Sequence, residues 1–452
     1  MKTSSVASEQ AMPSILIESV KLVIHDELTT AHLLLEDGVI KRISKLKPFT
    51  RAEETIPANR LIALPGLIDA HVHLRDMQLA YKETFQTGTR AAAAGGYTTV
   101  IDMPNTQPPT TSAARLAEKM AKAQGRIFTN IAFQCALTPE LSESIKMKQQ
   151  GAVAFKLYLN KSLETFNSSD DPKLRLALQA AKLSNALVTI HAEDGDAIKK
   201  VQTECIASDR LTIRDFLRAH KPSVEVAAVK SILKLCNSLN VQTHICHITT
   251  PQAVRLVRAS RNSTCEATAH HLLLDHSAFK RYGTRAICVP PIRRTEYRRE
   301  LWNLFVKGEV DILASDHAPH TLHEKATENA WKAASGVPGL ETSLQVMLTQ
   351  VSKGRLSLSR LIQAGSTLPA MIFKLRRKGR LQTGYDADIV LIDPKSRNTI
   401  QTDKFLSKAK YSPFEGLKCR GKAVYTIVNG NVVYQNGKVA DAPVGRILRS
   451  DN

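Results

Sequence analysis

The chain has 452 residues, 43% of them hydrophobic and 23% charged, with a formal net charge of +20. That length suits one large domain with a second, smaller unit. No apolar run is long enough to span a membrane, the first ten residues lack the apolar centre of a signal peptide, and seven irregularly spaced cysteines form neither a disulfide framework nor a CxxC pair. These features fit a reducing, cytoplasmic setting. The basic residues are spread along the chain, with modest clusters at 293–299 and 374–380, and aromatics make up only 5%. A solvated, lysine-rich surface fits this better than a nucleic-acid or membrane partner, although the charge could help attract an acidic substrate.

Residues 1–13 read as a disordered tail. Residues 14–62 read as short strands at 15–24, 31–35 and 39–43, with a turn at Glu36-Asp-Gly38. Residues 63–376 alternate strand-like and helix-like runs. One helix is predicted over 82–94, closed by Gly95-Gly96 before a strand at 97–103. This alternation predicts an α/β fold, a (β/α)₈ TIM-like barrel. From 377 to 445 the pattern returns to strands at 386–393 and 424–434, where Asn429-Gly430 marks a hairpin turn. The two terminal β segments are expected to pair into one small composite β-sandwich beside the barrel. No internal repeat or low-complexity tract is present.

The chemistry concentrates where apolar strands give way to loops. Residues 69–76 read Asp-Ala-His-Val-His-Leu-Arg-Asp after an apolar run. Side chains alternate along a strand, so His71 and His73 face one way and could clamp a metal ion. Taken alone, such a pair fits a hydrogen-bonded core equally well. Four further strands end in, or carry, ligand-type residues: Lys156 within 154–159, His191 after 187–190, His247 after 241–246, and Asp316 after 310–315. In a barrel of parallel strands these ends converge on one face, and five such coincidences are hard to explain as core packing. His244 is three residues from His247, faces the other way, and reads as structural.

The runs His71-Val-His-Leu-Arg75, Asp102-Met-Pro-Asn-Thr106, Ser315-Asp-His-Ala-Pro-His-Thr321 and Gly336-Val-Pro-Gly-Leu-Glu-Thr342 resemble the dihydroorotases of the amidohydrolase superfamily, as do residues 83–100 and 411–416. The resemblance covers essentially the whole chain. Lys156-Leu-Tyr-Leu-Asn160 is similar to the members that use a carboxylated lysine. The resemblance implies two Zn²⁺ per chain, one held by His71, His73 and Asp316 and the other by His191 and His247. Lys156 would bridge both after reacting with CO₂ to form a carbamate, because a free ammonium cannot ligate a cation. The metals would polarise a cyclic amide carbonyl and activate a water, with Asp316 as general base and then general acid. Arg75, Asn105 and His320 would bind the substrate. The implied reaction interconverts N-carbamoyl-L-aspartate and dihydroorotate in pyrimidine biosynthesis. The implied partner is this small molecule, and a homodimer is compatible.

Two stretches depart from the family pattern. Arg75-Asp-Met-Gln78 replaces the usual Arg-Glu-Pro-Gly, and Val289 stands where a polar contact to the substrate ring is expected. The second departure is closer to allantoinases and hydantoinases, which gives a cyclic amidohydrolase of that type as the alternative. A non-catalytic subunit of this kind that scaffolds aspartate transcarbamoylase or another partner is a third reading, and the intact ligand set argues against it. His270 and His271 are expected to hydrogen-bond near the site, and His323 to lie exposed in a loop. Residues 161–166 are expected to form a flap offering Ser162 or Thr165.

Overall fold

The computed structural model describes residues 14–24, 26–48, 52–160 and 171–449. The expected tail at 1–13 and the expected flap at 161–166 lie outside them. Eight parallel strands form the barrel: β1 (Leu67–Val72), β2 (Tyr97–Asp102), β3 (Asn130–Ala136), β4 (Ala154–Tyr158), β5 (Val188–His191), β6 (Thr243–Ile245), β7 (Ser263–Thr268) and β8 (Ile312–Ala314). They are hydrogen-bonded in sequence order. The ring closes where Val72 bridges His317 in parallel and His73 N donates to His317 O at 2.8 Å. Closure places the end of β8 beside the end of β1, which is what brings residues 71–75 and 315–320 together.

Most barrel strands are buried along their whole length, as expected when helices cover the outer face. Ile131, Phe133, Phe155, Val188, Ile190 and Ile245 join the main apolar core. The predicted helix over 82–94 begins three residues later, at Phe85, and ends at Ala94. Thr84 sets the start as N-cap, in a reciprocal capping box with Thr87. Glu83 is thereby freed from the helix, and its carboxylate takes hydrogen bonds from Ser407 and Thr87.

The terminal segments form one continuous, mainly antiparallel sheet. Its order runs 438–439, 431–435, 418–428, 389–399, 62–65, 15–24, 27–36 and 39–44, with 54–57 alongside 15–24. The seam between the two ends of the chain is the pairing of Ile62–Pro65 with Ile389–Ile392. Ile15, Ile17, Leu33, Leu35, Ile389, Leu391 and Ile427 share a separate core there. Both predicted turns are present. Asp37 and Gly38 have φ of 52° and 74°, and Asn429 and Gly430 have 50° and 80°, as a two-residue type I′ hairpin requires. A Cβ on Gly430 would meet Gly38 Cα at 2.9 Å, so the two turns pack on each other. No helix among the described residues is long and apolar enough to cross a membrane.

A buried ion pair ties the barrel wall to its mouth. Lys119, on the helix Ala113–Ala123, places Nζ 2.6 Å from Asp102 Oδ2 and donates to Met103 O at 2.7 Å. The other oxygen of Asp102 accepts from Leu74 N at 2.7 Å. Removing one partner strands a buried charge, so Lys119→Met is expected to lower unfolding stability by about 3–5 kcal/mol in urea titration. Lys119→Met with Asp102→Asn should lose less than Lys119→Met alone. Equal losses would show that the pair is not coupled.

Candidate metal centre and active site

β1 and β8 deliver the first cluster. His71 lies within β1, His73 just beyond it, and Asp316 follows β8. One ligand atom from each lies within 4.8 Å of the others, and all three residues are buried. Asp316 Oδ1 is 3.1 Å from His73 Nε2 and 3.4 Å from His71 Nε2. The opposite ring nitrogens are already engaged: His71 Nδ1 donates to Glu266 Oε1 at 2.5 Å, and His73 Nδ1 donates to Asn105 Oδ1 at 2.7 Å. With Nδ1 as its donor, His73 turns the Nε2 lone pair toward Asp316, whereas His71 Nε2 is drawn to take a second proton by the carboxylates on either side of it. That proton supplies positive charge among the converging atoms, and a bound metal ion would take its place. Burial and Lys156 oppose a proton on His71, yet Glu266 and Asp316 draw its pKa up to about 10. Burial also resists ionisation of Asp316, but His71, His73 and His247 hold its carboxyl well below the usual range. Two imidazoles and a carboxylate suit a zinc-type ion.

β5 and β6 deliver the second cluster. His191 ends β5 and His247 lies two residues beyond β6. His191 Nδ1 is 3.0 Å from His247 Nε2. Glu193 accepts from His191 Nε2 and from His220 Nδ1, each at 2.9 Å. Glu193 favours a His191 proton on Nε2, which turns Nδ1 toward the His247 ring as a candidate ligand. His247 Nδ1 is buried without a hydrogen-bond partner among the described residues. The His71 and His247 ring centroids are 5.1 Å apart, so the clusters adjoin. Lys156 points from β4 into the same region. It is buried, and its Nζ donates to Cys246 Sγ at 2.9 Å. Its charge opposes protonation of His71, His191 and His247 alike. The fold thus gathers the six residues that the sequence grouped as ligands.

The clusters open into a cleft of about 470 Å³ whose lining includes Arg75, Asn105, Tyr158, Val289, Trp331 and His320. Arg75 reaches it from a turn beyond β1. β1 ends at Val72, and Arg75, Asp76 and Met77 all have positive φ, at 58°, 44° and 51°. Asp76 braces this turn by accepting from Met77 N at 2.7 Å and from Phe85 N at 2.8 Å. Arg75 is 8% exposed. It donates to Pro319 O at 3.3 Å, its Nη2 lies 3.2 Å from His320 Nε2, and no carboxylate pairs with it among the described residues. Burial first, then the charges of Arg75, Lys82 and Lys325, keeps His320 neutral. This end of the cleft is therefore short of negative charge. Asn105 lines the cleft while also steering His73. The Tyr158 hydroxyl is buried with no partner among the described residues.

Sequence reasoning missed the carboxylates behind the rings. Glu266 holds His71, accepts from His247 N at 3.2 Å, and meets His244 Nε2 at 3.2 Å. His244 is structural, as expected, and acts through Glu266. The available signal was a charge within the strand run Thr264-Cys-Glu-Ala-Thr268, where an unpaired carboxylate is costly. Glu193 sat unassigned two residues after His191. His271 hydrogen-bonds Thr268 Oγ1 and Pro290 O, each at 2.9 Å. His323 is exposed, on the short helix Leu322–Lys325.

The site and fold can be set beside known proteins. A dihydroorotase of Methanothermobacter thermautotrophicus is 38% identical over 428 residues, 94% of this chain and 96% of that one. A dihydroorotase of Methanosphaera stadtmanae is 36% identical, covering 90% and 94%. The solved L-hydantoinase (dihydropyrimidinase) of Arthrobacter aurescens superposes with a TM-score of 0.93 at 32% identity, covering 97% of this chain and 100% of that one. The sequence pattern of the amidohydrolase family matches residues 62–433, a span that holds all the strand-end ligand candidates described above. The chain belongs to the amidohydrolase family.

Proposed function

We propose that this chain is a dihydroorotase, which closes N-carbamoyl-L-aspartate to dihydroorotate with loss of water and catalyses the reverse hydrolysis. The observation that carries the reading is the buried Arg75 guanidinium, which has no carboxylate partner among the described residues and lies in the same cleft as Asp316. A buried unpaired cation is costly, and a substrate carboxylate offsets that cost. Both dihydroorotate and carbamoyl aspartate carry one; allantoin and simple hydantoins do not. Identity to the two archaeal dihydroorotases supports the same choice.

In this reading residues 63–376 form the hydrolase barrel, and 14–62 with 377–445 form the supporting β unit. Two zinc ions suit the residues present: His71, His73 and Asp316 for one, His191 and His247 for the other. Carboxylation of Lys156 would give both an anionic oxygen. When bound, the ions supply carbonyl polarisation and a more acidic water. Arg75 forks onto the substrate carboxylate, and Asn105 and His320 fix its orientation. Asp316 takes the proton of the attacking water and returns it to the leaving ring nitrogen. Val289 in the cleft wall, together with the L-hydantoinase likeness, favours a hydantoinase as the second reading.

Three measurements test this. First, wild type should turn over dihydroorotate faster than allantoin or hydantoin, and Arg75→Lys should cut kcat/KM for dihydroorotate roughly 10- to 150-fold, the worth of about 1.5–3 kcal/mol for a charge-assisted contact. Metal content should not change. Faster turnover of hydantoin by wild type would transfer the assignment to the second reading. Second, Lys156→Ala should lose metal and activity together, with partial rescue by short carboxylic acids; full metal retention would remove the bridging role. Third, Glu266→Gln should weaken metal retention roughly 10- to 100-fold against a chelator, because His71 loses its orienting carboxylate. Unaltered retention would show that Glu266 does not orient the ligand.

A further inference from the structure

A third group of ligand-type side chains lies beside the cleft and has no part in the proposed reaction. His270 and His271 open the short helix Ala269–Leu273 at the end of β7. Cys288 arrives from a separate loop. A ligand atom from each lies within 4.8 Å of the others, and all three residues are buried. The two histidines were expected to hydrogen-bond near the site and not to ligate a metal, and the sequence gave no sign that Cys288 joins them. Two details go further. The His270 Nε2 atom is buried without a hydrogen-bond partner among the described residues. Cys288 Sγ is 3.8 Å from His271 Nε2 and 3.4 Å from Pro290 O, so a carbonyl oxygen joins two imidazoles and a thiol.

We infer that His270, His271 and Cys288 form a binding site for a single divalent ion of the zinc class, separate from the catalytic clusters. Nitrogen and sulfur donors select borderline-soft ions over magnesium or calcium. Pro290 O is placed to serve as a fourth donor. The proton changes balance. On binding, Cys288 loses its thiol proton to solvent and becomes a thiolate. The His271 proton sits on Nε2 while that atom donates to Pro290 O. It moves to Nδ1, where Thr268 Oγ1, now 2.9 Å away, accepts it. That exchange frees both Nε2 and the carbonyl for the ion. Burial pushes the empty-site thiol up to about 12, and a bound cation reverses this. The ion would cross-link the end of β7 to the loop carrying Val289, which lines the substrate cleft. Its role is to fix that wall.

Cobalt(II) tests the site, because thiolate ligation gives a near-ultraviolet charge-transfer band that nitrogen and oxygen ligands do not. The full chain is stripped with chelator and titrated with Co²⁺ alone. The expected result is a thiolate band in wild type that disappears in Cys288→Ser and persists in Cys246→Ser, the arm that reports the cysteine beside Lys156. His270→Gln keeps the thiol and should also lose the band at limiting cobalt, which guards against a misfolded Cys288→Ser. No band in wild type overturns the inference. So does a band lost in Cys246→Ser but kept in Cys288→Ser. Because the readout is the thiolate band and not turnover, the inference stands or fails independently of the reaction proposed above.

Discussion

Three ligand-type atoms face one another at the barrel mouth: Asp316 Oδ1, with His73 Nε2 at 3.1 Å and His71 Nε2 at 3.4 Å from it. Glu266 and Asn105 engage the opposite nitrogens, so both Nε2 atoms stay directed at Asp316, and the positive charge they share comes from a second proton on His71 or from a metal ion. Much of the surrounding structure exists to keep these atoms converged. Glu266 reaches His71, His244 and the backbone of His247 at once. Glu193 does the same for His191 and His220. Each carboxylate is buried, and each is stabilised by the rings it orients.

Backbone conformation shows the same demand. His247 and Asp316 sit at φ of 31° and 46°, a region that costs a non-glycine residue about 1–3 kcal/mol. Neighbouring bonds hold them there. His247 N donates to Glu266 Oε1. Around Asp316, Ser315 N donates to Asp69 Oδ1 at 3.0 Å and His317 N to Ser315 Oγ at 2.9 Å. Asp69 also accepts from His71 N at 3.2 Å, so one carboxylate ties the first strand to the last at the level of the ligands. Burial raises its pKa to about 7. The strain is therefore local, and rigid strands on both sides enforce it.

What was legible in the sequence follows from what is local in it. His71, His73, His191, His247 and Asp316 each stand at or just beyond a strand end, and parallel strands of a barrel must bring such ends together. The hairpin turns were legible because Asp-Gly and Asn-Gly favour positive φ at both positions. Glu266 was not legible as a partner of His71: the contact spans 195 residues and depends on barrel closure. Arg75 reaches the cleft through a backbone turn that the sequence did not mark. Asp76 and Asp102 bend the chain beyond β1 and deliver the guanidinium to the cleft. Cys288 shows the same limit, since nothing in Ile287-Cys-Val-Pro290 marks the two histidines as its neighbours.

The seam between residues 62–65 and 389–392 also governs how the molecule is made. The two partners are separated by roughly 320 residues. Synthesis at about 5–20 residues per second leaves the early strands waiting on the order of 15–65 s for the strand that completes their sheet. During that time Ile15, Ile17, Leu33 and Leu35, fully buried at the end, have no late partner to cover them. Long-range pairing of this kind closes slowly, and exposed strand edges invite association with other nascent chains. The barrel can assemble as its strands emerge in order. The β unit cannot, so the strand at 389–392 must be made before those at 15–24 and 27–36 are covered.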